Sequence, residues 1–150
     1  MSRIDETKDF IPVRIAVLTV SDTRTLAEDK SGDTLVDRLT DAGHLLAARA
    51  IVQDDRATIA ARLRQWIADP AIDVILSTGG TGLTGRDVTV EAHREVYEKE
   101  IEAFGTIFTI VSMQKIGTSA VQSRATGGGG GWQIPVRPAR IARCLPRCLG

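Results

Sequence analysis

The chain has 150 residues, 43% of them apolar, and its 19 basic side chains are balanced by 19 acidic ones. That size and content suit one globular domain with a real core, and the neutral balance argues against general nucleic-acid or membrane-surface binding. No run approaches the roughly 18 apolar residues of a membrane span, and the polar stretch Met1–Asp9 lacks a signal peptide's apolar centre, so a cytosolic protein is expected.

Residues 1–9 read as a loose leader. Val13 to Val20 is a β-branched, nearly continuous apolar run, as expected of a strand covered on both faces. It ends in the polar turn Ser21-Asp22-Thr23-Arg24. Ser31 has the character of a helix N-cap, with Leu35, Leu39 and Ala42 at helical spacing and Gly43 as a stop. Leu45 to Val52 is a second strand. Asp54 and Asp55 precede a helix with Ile59, Leu63, Trp66 and Ile67 on one face, closed by Pro70. Ile72 to Ser77 is the third strand. After Asp87 one helix runs to about Glu102, its mixed charges solvated and locally paired, and another covers Phe104 to Gln114. Strands alternating with helices in this way predict βαβ units and a mostly parallel sheet, with ligands bound off the carboxyl ends of the strands.

Three polar segments meet that criterion: Ser21–Arg24, Asp54–Asp55 and Gly79–Asp87. The last is the most informative. An apolar run, Val74-Ile75-Leu76, gives way to Ser77-Thr78-Gly79-Gly80-Thr81-Gly82, and Asp87 follows five residues later. Glycines let successive N–H groups converge on one point, and the hydroxyls of Ser77, Thr78, Thr81 and Thr84 add donors, a combination that favours phosphate. The spacing is neither a Walker loop nor a dinucleotide fingerprint, so the pattern alone defines an anion loop and leaves a simple tight turn open. Asp54 or Asp55 could equally cap the helix after them, and Asp87 the helix after it. Asp22 has the character of a turn former, and Arg124 that of an ordinary surface residue or a fixed cation. His44 and His93 read as structural or solvated, and no metal-type His/Cys cluster exists.

Taken together, LTVSDTR after the first strand, the aspartate of IVQDD, STGGTGLTGRDVT, EIEAFG and IGTSAVQSR resemble the MoaB/Mog family of molybdenum-cofactor biosynthesis proteins, over about residues 10–126. The resemblance implies a three-layer α/β/α sandwich with a mostly parallel central sheet, assembled as homotrimers or homohexamers. It implies Mg²⁺-ATP-dependent adenylylation of molybdopterin, with ATP as co-substrate and pyrophosphate released. Asp54 and Asp87 match the two functional aspartates and would be the Mg²⁺ ligands. Gly79, Gly80, Thr81 and Gly82 match the phosphate loop, and Ser21, Asp22, Ser119, Ser123 and Arg124 fall in segments lining the pterin and nucleotide pocket. The family commonly has Gly-Phe-Gly-Glu where Ala103-Phe104-Gly105-Thr106 stands here, which removes an acid at Thr106. Some B-type relatives lack the DVT-type loop and are suspected of having lost adenylyl transfer. This chain keeps Asp87-Val88-Thr89. A non-catalytic molybdopterin-binding or scaffold paralogue, or a truncated product without function, are the alternatives.

Beyond Thr126 the character changes. Residues 127–131 are glycine, followed by WQIPVRPARIARCLPRCLG, in which Arg137, Arg140, Arg143 and Arg147 stand with no acidic partner after position 102. Pro135, Pro138 and Pro146 would break the helix of a basic arm. Both cysteines, Cys144 and Cys148, lie here and support no redox inference. Starting each codon one nucleotide later, the codons available for Gly131 through Leu149 can encode GGKYLFALPGSPGACRDAW, which resembles the family's last strand and its Leu-Pro-Gly loop, followed by the start of a final helix. The expectation is a frameshift between about Ala125 and Gly131, so that residues 127–150 are out of frame and the last strand and helix of the fold are missing.

Overall fold

The computed structural model describes residues 9–130 and 141–145. Among these residues six strands and four α-helices follow as β1 (Arg14–Val20), α1 (Lys30–Asp41), β2 (Leu45–Val52), α2 (Arg56–Ala68), β3 (Val74–Thr78), α3 (Thr89–Val96), β4 (Lys99–Glu100), α4 (Ala103–Ile116), β5 (Thr126–Gly129) and β6 (Ile141–Leu145). They form one sheet in the order β2-β1-β3-β6-β5-β4. The four strands from β2 to β6 are parallel, whereas β5 is antiparallel to β6 and β4 antiparallel to β5 at the far edge. The expected α/β fold with a mostly parallel central sheet is therefore present.

Alternation along β1 builds both cores. Ile15 and Val17 pack with Leu35 and Leu39 of α1 on one face. Ala16, Leu18 and Val20 meet Ile59, Leu63 and Trp66 of α2, together with Ile75 and Ala92, on the other. Every residue of β1 from Ile15 to Val20 is buried, which explains a run that is apolar at both parities. Trp66 lies in the core, as its place on the apolar stripe implies.

Three expectations about elements change. The N-cap of α1 is Asp29, whose carboxylate accepts the Gly32 N–H at 3.0 Å, and Ser31 lies inside the helix. Asp29 is fully buried and also takes the Thr19 hydroxyl at 2.6 Å and Arg49 Nη2 at 3.0 Å, partners that make it the stronger cap. The charged stretch after Asp87 is not one helix to Glu102: α3 stops at Val96, and Lys99-Glu100 pair with Gly129 and Gly128 as β4. Backbone pairing to the sheet overrides helix propensity there. Its ion pairs are also less local than expected, since Glu95 takes both Arg56 and Arg64 from α2.

The third change concerns the last strand. Ile141–Leu145 sits between β3 and β5, with Ile141 opposite Val74 and Leu145 opposite Thr78, so a strand occupies the place that the sequence left empty. The ladder is made by backbone groups, which side-chain identity does not supply. The expected Leu-Pro-Gly loop and closing helix lie outside the described residues.

Candidate functional site

The carboxyl ends of β1, β2 and β3 open onto one edge of the sheet, and the three polar segments meet there. Ser21 N–H donates to the Val52 carbonyl at 2.9 Å, joining the loop after β1 to the end of β2. Asp22 continues the junction: its Oδ1 accepts the Asp54 N–H at 3.0 Å. Ser21 Oγ accepts the N–H groups of Thr23 (3.4 Å) and Arg24 (3.3 Å), which folds the loop back on itself.

Two of the loop glycines are required by geometry. Gly79 and Gly80 have φ of 96° and 61°, in the left-handed region. A Cβ on Gly79 would collide with the Val20 carbonyl, and one on Gly80 would collide with Thr89 Oγ1 while lying 2.9 and 3.0 Å from the carboxylate oxygens of Asp54. The backbone at Gly80 is thus cradled between Asp54 and Thr89. A Cβ on Gly82 would sit 2.8 Å from Asp87 Oδ2, so both aspartates flank the same short loop, one at each end. Thr89 N–H closes the cradle by donating to the Gly80 carbonyl at 3.2 Å.

The capping question resolves cleanly. Asp55 caps α2, accepting Thr58 N–H at 2.8 Å and its hydroxyl at 2.7 Å. Asp54 is left to face the loop. Its carboxylate is partly withdrawn from water, and that burial raises its pKa, with the Val88 N–H opposing and the nearby Asp87 and Asp22 charges adding to the rise. Asp87 does not cap α3, whose N-cap is Val88. Its carboxylate accepts the Thr84 hydroxyl and, at 3.1 Å, the Thr84 N–H, bonds that lower its pKa. Asp54 is therefore less acidic than an ordinary carboxylate and Asp87 more acidic.

Arg124 lies at the site with its guanidinium turned into the protein. Nε donates to the Gly82 carbonyl at 2.9 Å, Nη2 to the Asp87 carbonyl at 2.6 Å, and Nη1 to Glu91. Its backbone N–H also holds the Thr81 carbonyl at 3.1 Å. Arg124 thus binds the loop itself at three carbonyls, and Glu91 neutralises it. Ser123 sits beside it, half-buried, whereas Ser119 is exposed on the short helical turn Gly117–Gln122. Thr81 is buried and Gly82 half-buried.

Two residues not singled out as functional belong to this assembly. His93 is fully buried under the loop. Its Nδ1 lies 2.8 Å from the Thr89 carbonyl, which can only accept, so Nδ1 carries the proton and Nε2 accepts the Ser77 hydroxyl at 2.9 Å. Burial lowers its pKa to about 4 and keeps it neutral. Thr89 Oγ1 is also buried, and among the described residues no group hydrogen-bonds to it. Among the described residues no three His, Cys, Asp or Glu side chains gather closely enough to hold a metal ion by themselves.

A doubly wound α/β domain with a glycine cradle flanked by carboxylates at its strand ends is the class these observations define. The family model described as "Probable molybdopterin binding domain" matches residues 16–147. Molybdenum cofactor biosynthesis protein B of Escherichia coli (strain K12) is 46% identical over 120 residues, covering 80% of this chain and 71% of the relative. A crystal structure of a molybdenum cofactor biosynthesis protein B superposes with a TM-score of 0.86 at 37% identity, over 95% of this chain and 86% of that one. The tungsten cofactor synthesizing protein of Pyrococcus furiosus gives 0.76 at 30% identity, over 92% and 88%. The chain belongs to this molybdopterin-binding family. Among the described residues no helix is long and apolar enough to cross a membrane.

Proposed function

We propose that this chain acts in cytosolic molybdenum cofactor biosynthesis and adenylylates molybdopterin, using ATP as co-substrate. The observation that carries the reading is the Gly80 cradle between Asp54 and Thr89, with Asp87 against Gly82 at the other end of the loop. In adenylyl transfer a phosphate oxygen of the pterin attacks the α-phosphorus of ATP, the bond to the β-phosphate oxygen breaks, and pyrophosphate leaves. The demand on the protein is positioning and charge neutralisation. The loop supplies backbone donors, and Arg124 fixes the loop's shape through its carbonyls. Asp54 and Asp87 offer hard oxygen ligands that fit Mg²⁺ when ligand oxygens and water complete the shell, and the unpartnered Thr89 hydroxyl is a further oxygen beside Asp54. When bound, the ion would neutralise phosphate charge.

Incubation with molybdopterin and Mg-ATP tests the reading. Adenylylated pterin and pyrophosphate are expected, and Asp87→Asn should abolish turnover with the fold intact. A folded protein that binds molybdopterin without forming the adenylylated product would instead establish the non-catalytic paralogue, a reading that Thr106 in place of the family's acid favours.

The apolar face of α4 supports the homo-oligomer. Ile107, Ile110, Val111 and Met113 are 58%, 51%, 46% and 44% exposed, and Ser112 is the helix's one buried residue. We propose that a second copy of the chain covers this face, as a trimer or hexamer requires. Sedimentation should show the oligomer, and Val111→Asp should reduce it to monomer.

We further propose that residues 127–150 are translated out of frame. A strand between β3 and β5 belongs to the sheet's interior, where continuous apolar sequence is the rule. Here Arg143 takes the register position opposite Leu76 and Gly127, whereas the shifted frame would supply an apolar strand, KYLFAL, from the codons of residues 133–138. Resequencing the gene across codons 120 to 150 tests it. A corrected frame reading into KYLFALPGSPGA is expected, and confirmation of the present bases would leave a truncated product whose folding is the first question.

A further inference from the structure

The cation that meets the ligand's phosphate is not identified by the loop itself. The arginines near the strand ends differ in how far they are committed. Arg124 is bound to two loop carbonyls and Glu91. Arg24 is held by Ser31 at 3.2 Å and lies 4.0 Å from the buried Asp29. Arg56 is paired with Glu95 at 2.9 Å. Arg86 is placed differently. It adjoins Asp87 on the loop, its side chain is 81% exposed, and it pairs with Asp22 Oδ2 at 2.5 Å. The other oxygen of Asp22 accepts the Asp54 N–H. Arg86, Asp22 and Asp54 therefore form a chain from solvent to the Gly80 cradle, crossing the gap between the loop after β1 and the loop after β3.

Resting on the phosphate-site reading above, we infer that Arg86 is the exchangeable phosphate-binding cation of this site, held on Asp22 until a phosphorylated ligand takes its place. Charge requires such a group. Asp22, Asp54 and Asp87 already gather three carboxylates at the mouth, and an incoming phosphate adds more negative charge. The guanidinium presents a planar fork of donors that matches two phosphate oxygens. An exposed ion pair is weak and readily exchanged, and a loop arginine can turn from Asp22 toward the cradle without moving the sheet. Asp22 then has two functions: it orders the Asp54 backbone, and it competes with the ligand for Arg86. The ligand's shared chemistry is a phosphate group, on a nucleotide or on a pterin.

Calorimetric titration of the 150-residue chain with ATP, and separately with molybdopterin, tests this. Arg86→Gln should weaken binding about tenfold in the arm whose phosphate Arg86 meets, with adenosine binding and melting temperature unchanged. Asp22→Asn, which keeps an oxygen for the Asp54 N–H, should strengthen the same arm severalfold, and added salt should shrink both differences. Wild-type affinity of Arg86→Gln in both arms would overturn the inference and leave the site reading standing. Failure of the wild-type chain to bind either ligand would overturn the site reading itself, and this inference with it.

Discussion

Ser77 Oγ donates a 2.9 Å hydrogen bond to His93 Nε2 inside the protein, tying the last turn of β3 to the first turns of α3. The same imidazole donates to the Thr89 carbonyl, so the two ends of the glycine loop are fastened through one neutral ring.

That ring makes folding sensitive to mild acid. Its folded-state pKa of about 4 lies below the ordinary 6.5, so between those values the unfolded chain takes up a proton that the folded protein refuses. The stability is complete above about pH 6.5 and declines as pH falls toward 4, a loss of about 2 kcal/mol by pH 5. Urea unfolding at pH 8 and pH 5 measures the difference. His93→Gln, less stable at pH 8, should lack this part of the slope; an unchanged slope would mean that other groups carry it.

Gly80→Ala should disrupt the site selectively. The added methyl meets Thr89 Oγ1 and the Asp54 carboxylate in a left-handed backbone, at a cost of about 1–3 kcal/mol. Phosphate-ligand affinity should fall, whereas Gly85→Ala, with nothing within 4 Å of the new methyl, should bind normally. Equal affinity of the two variants would count against the cradle.

Arg124→Lys removes the planar fork that spans Gly82, Asp87 and Glu91. A displaced loop should lower turnover by up to about 10²-fold. Glu91→Gln, which keeps the geometry and loses the charge, should cost less, and the two changes should be strongly non-additive because they share one contact. Additive losses would separate the two residues.

Asp29→Ala should destabilise the whole domain. It strips a fully buried carboxylate from Thr19, Gly32 and Arg49, leaving the arginine only its pair with the exposed Asp33, at about 1–3 kcal/mol. Thermal melting checks it.

Much of this was legible in the sequence, and the reasons differ by element. β1 and α2 are legible because burial imposes its period on nearby residues, whereas β2, buried only at Val52, is legible from its apolar composition. The convergence of Asp22, Asp54 and Gly79–Asp87 followed from the rule that parallel strands present their carboxyl ends together. The inward turn of Arg124 was hidden, because its acceptors Gly82 and Glu91 lie far away in sequence. His93 was ambiguous for a similar reason. Its helix carries Glu91, Arg94 and Glu95 around it, yet His93 falls on the face that is buried together with Thr89, Val90 and Ala92. The end of α3 at Val96 depended on pairing with Gly128 and Gly129, a long-range event that local helix preference opposes.

The two margins of the sheet are unequal in what they invite. At one, β4 offers two residues, both charged and already flanked by the turn into α4. At the other, β2 presents eight residues beginning with Leu45 and Leu46, which are 56% and 43% exposed, with Arg49 as the one charge. Charged, short margins resist adding foreign strands and long apolar ones accept them. Strand addition at high concentration should therefore favour the β2 margin over the β4 margin, making Leu46→Lys a solubility variant remote from the site.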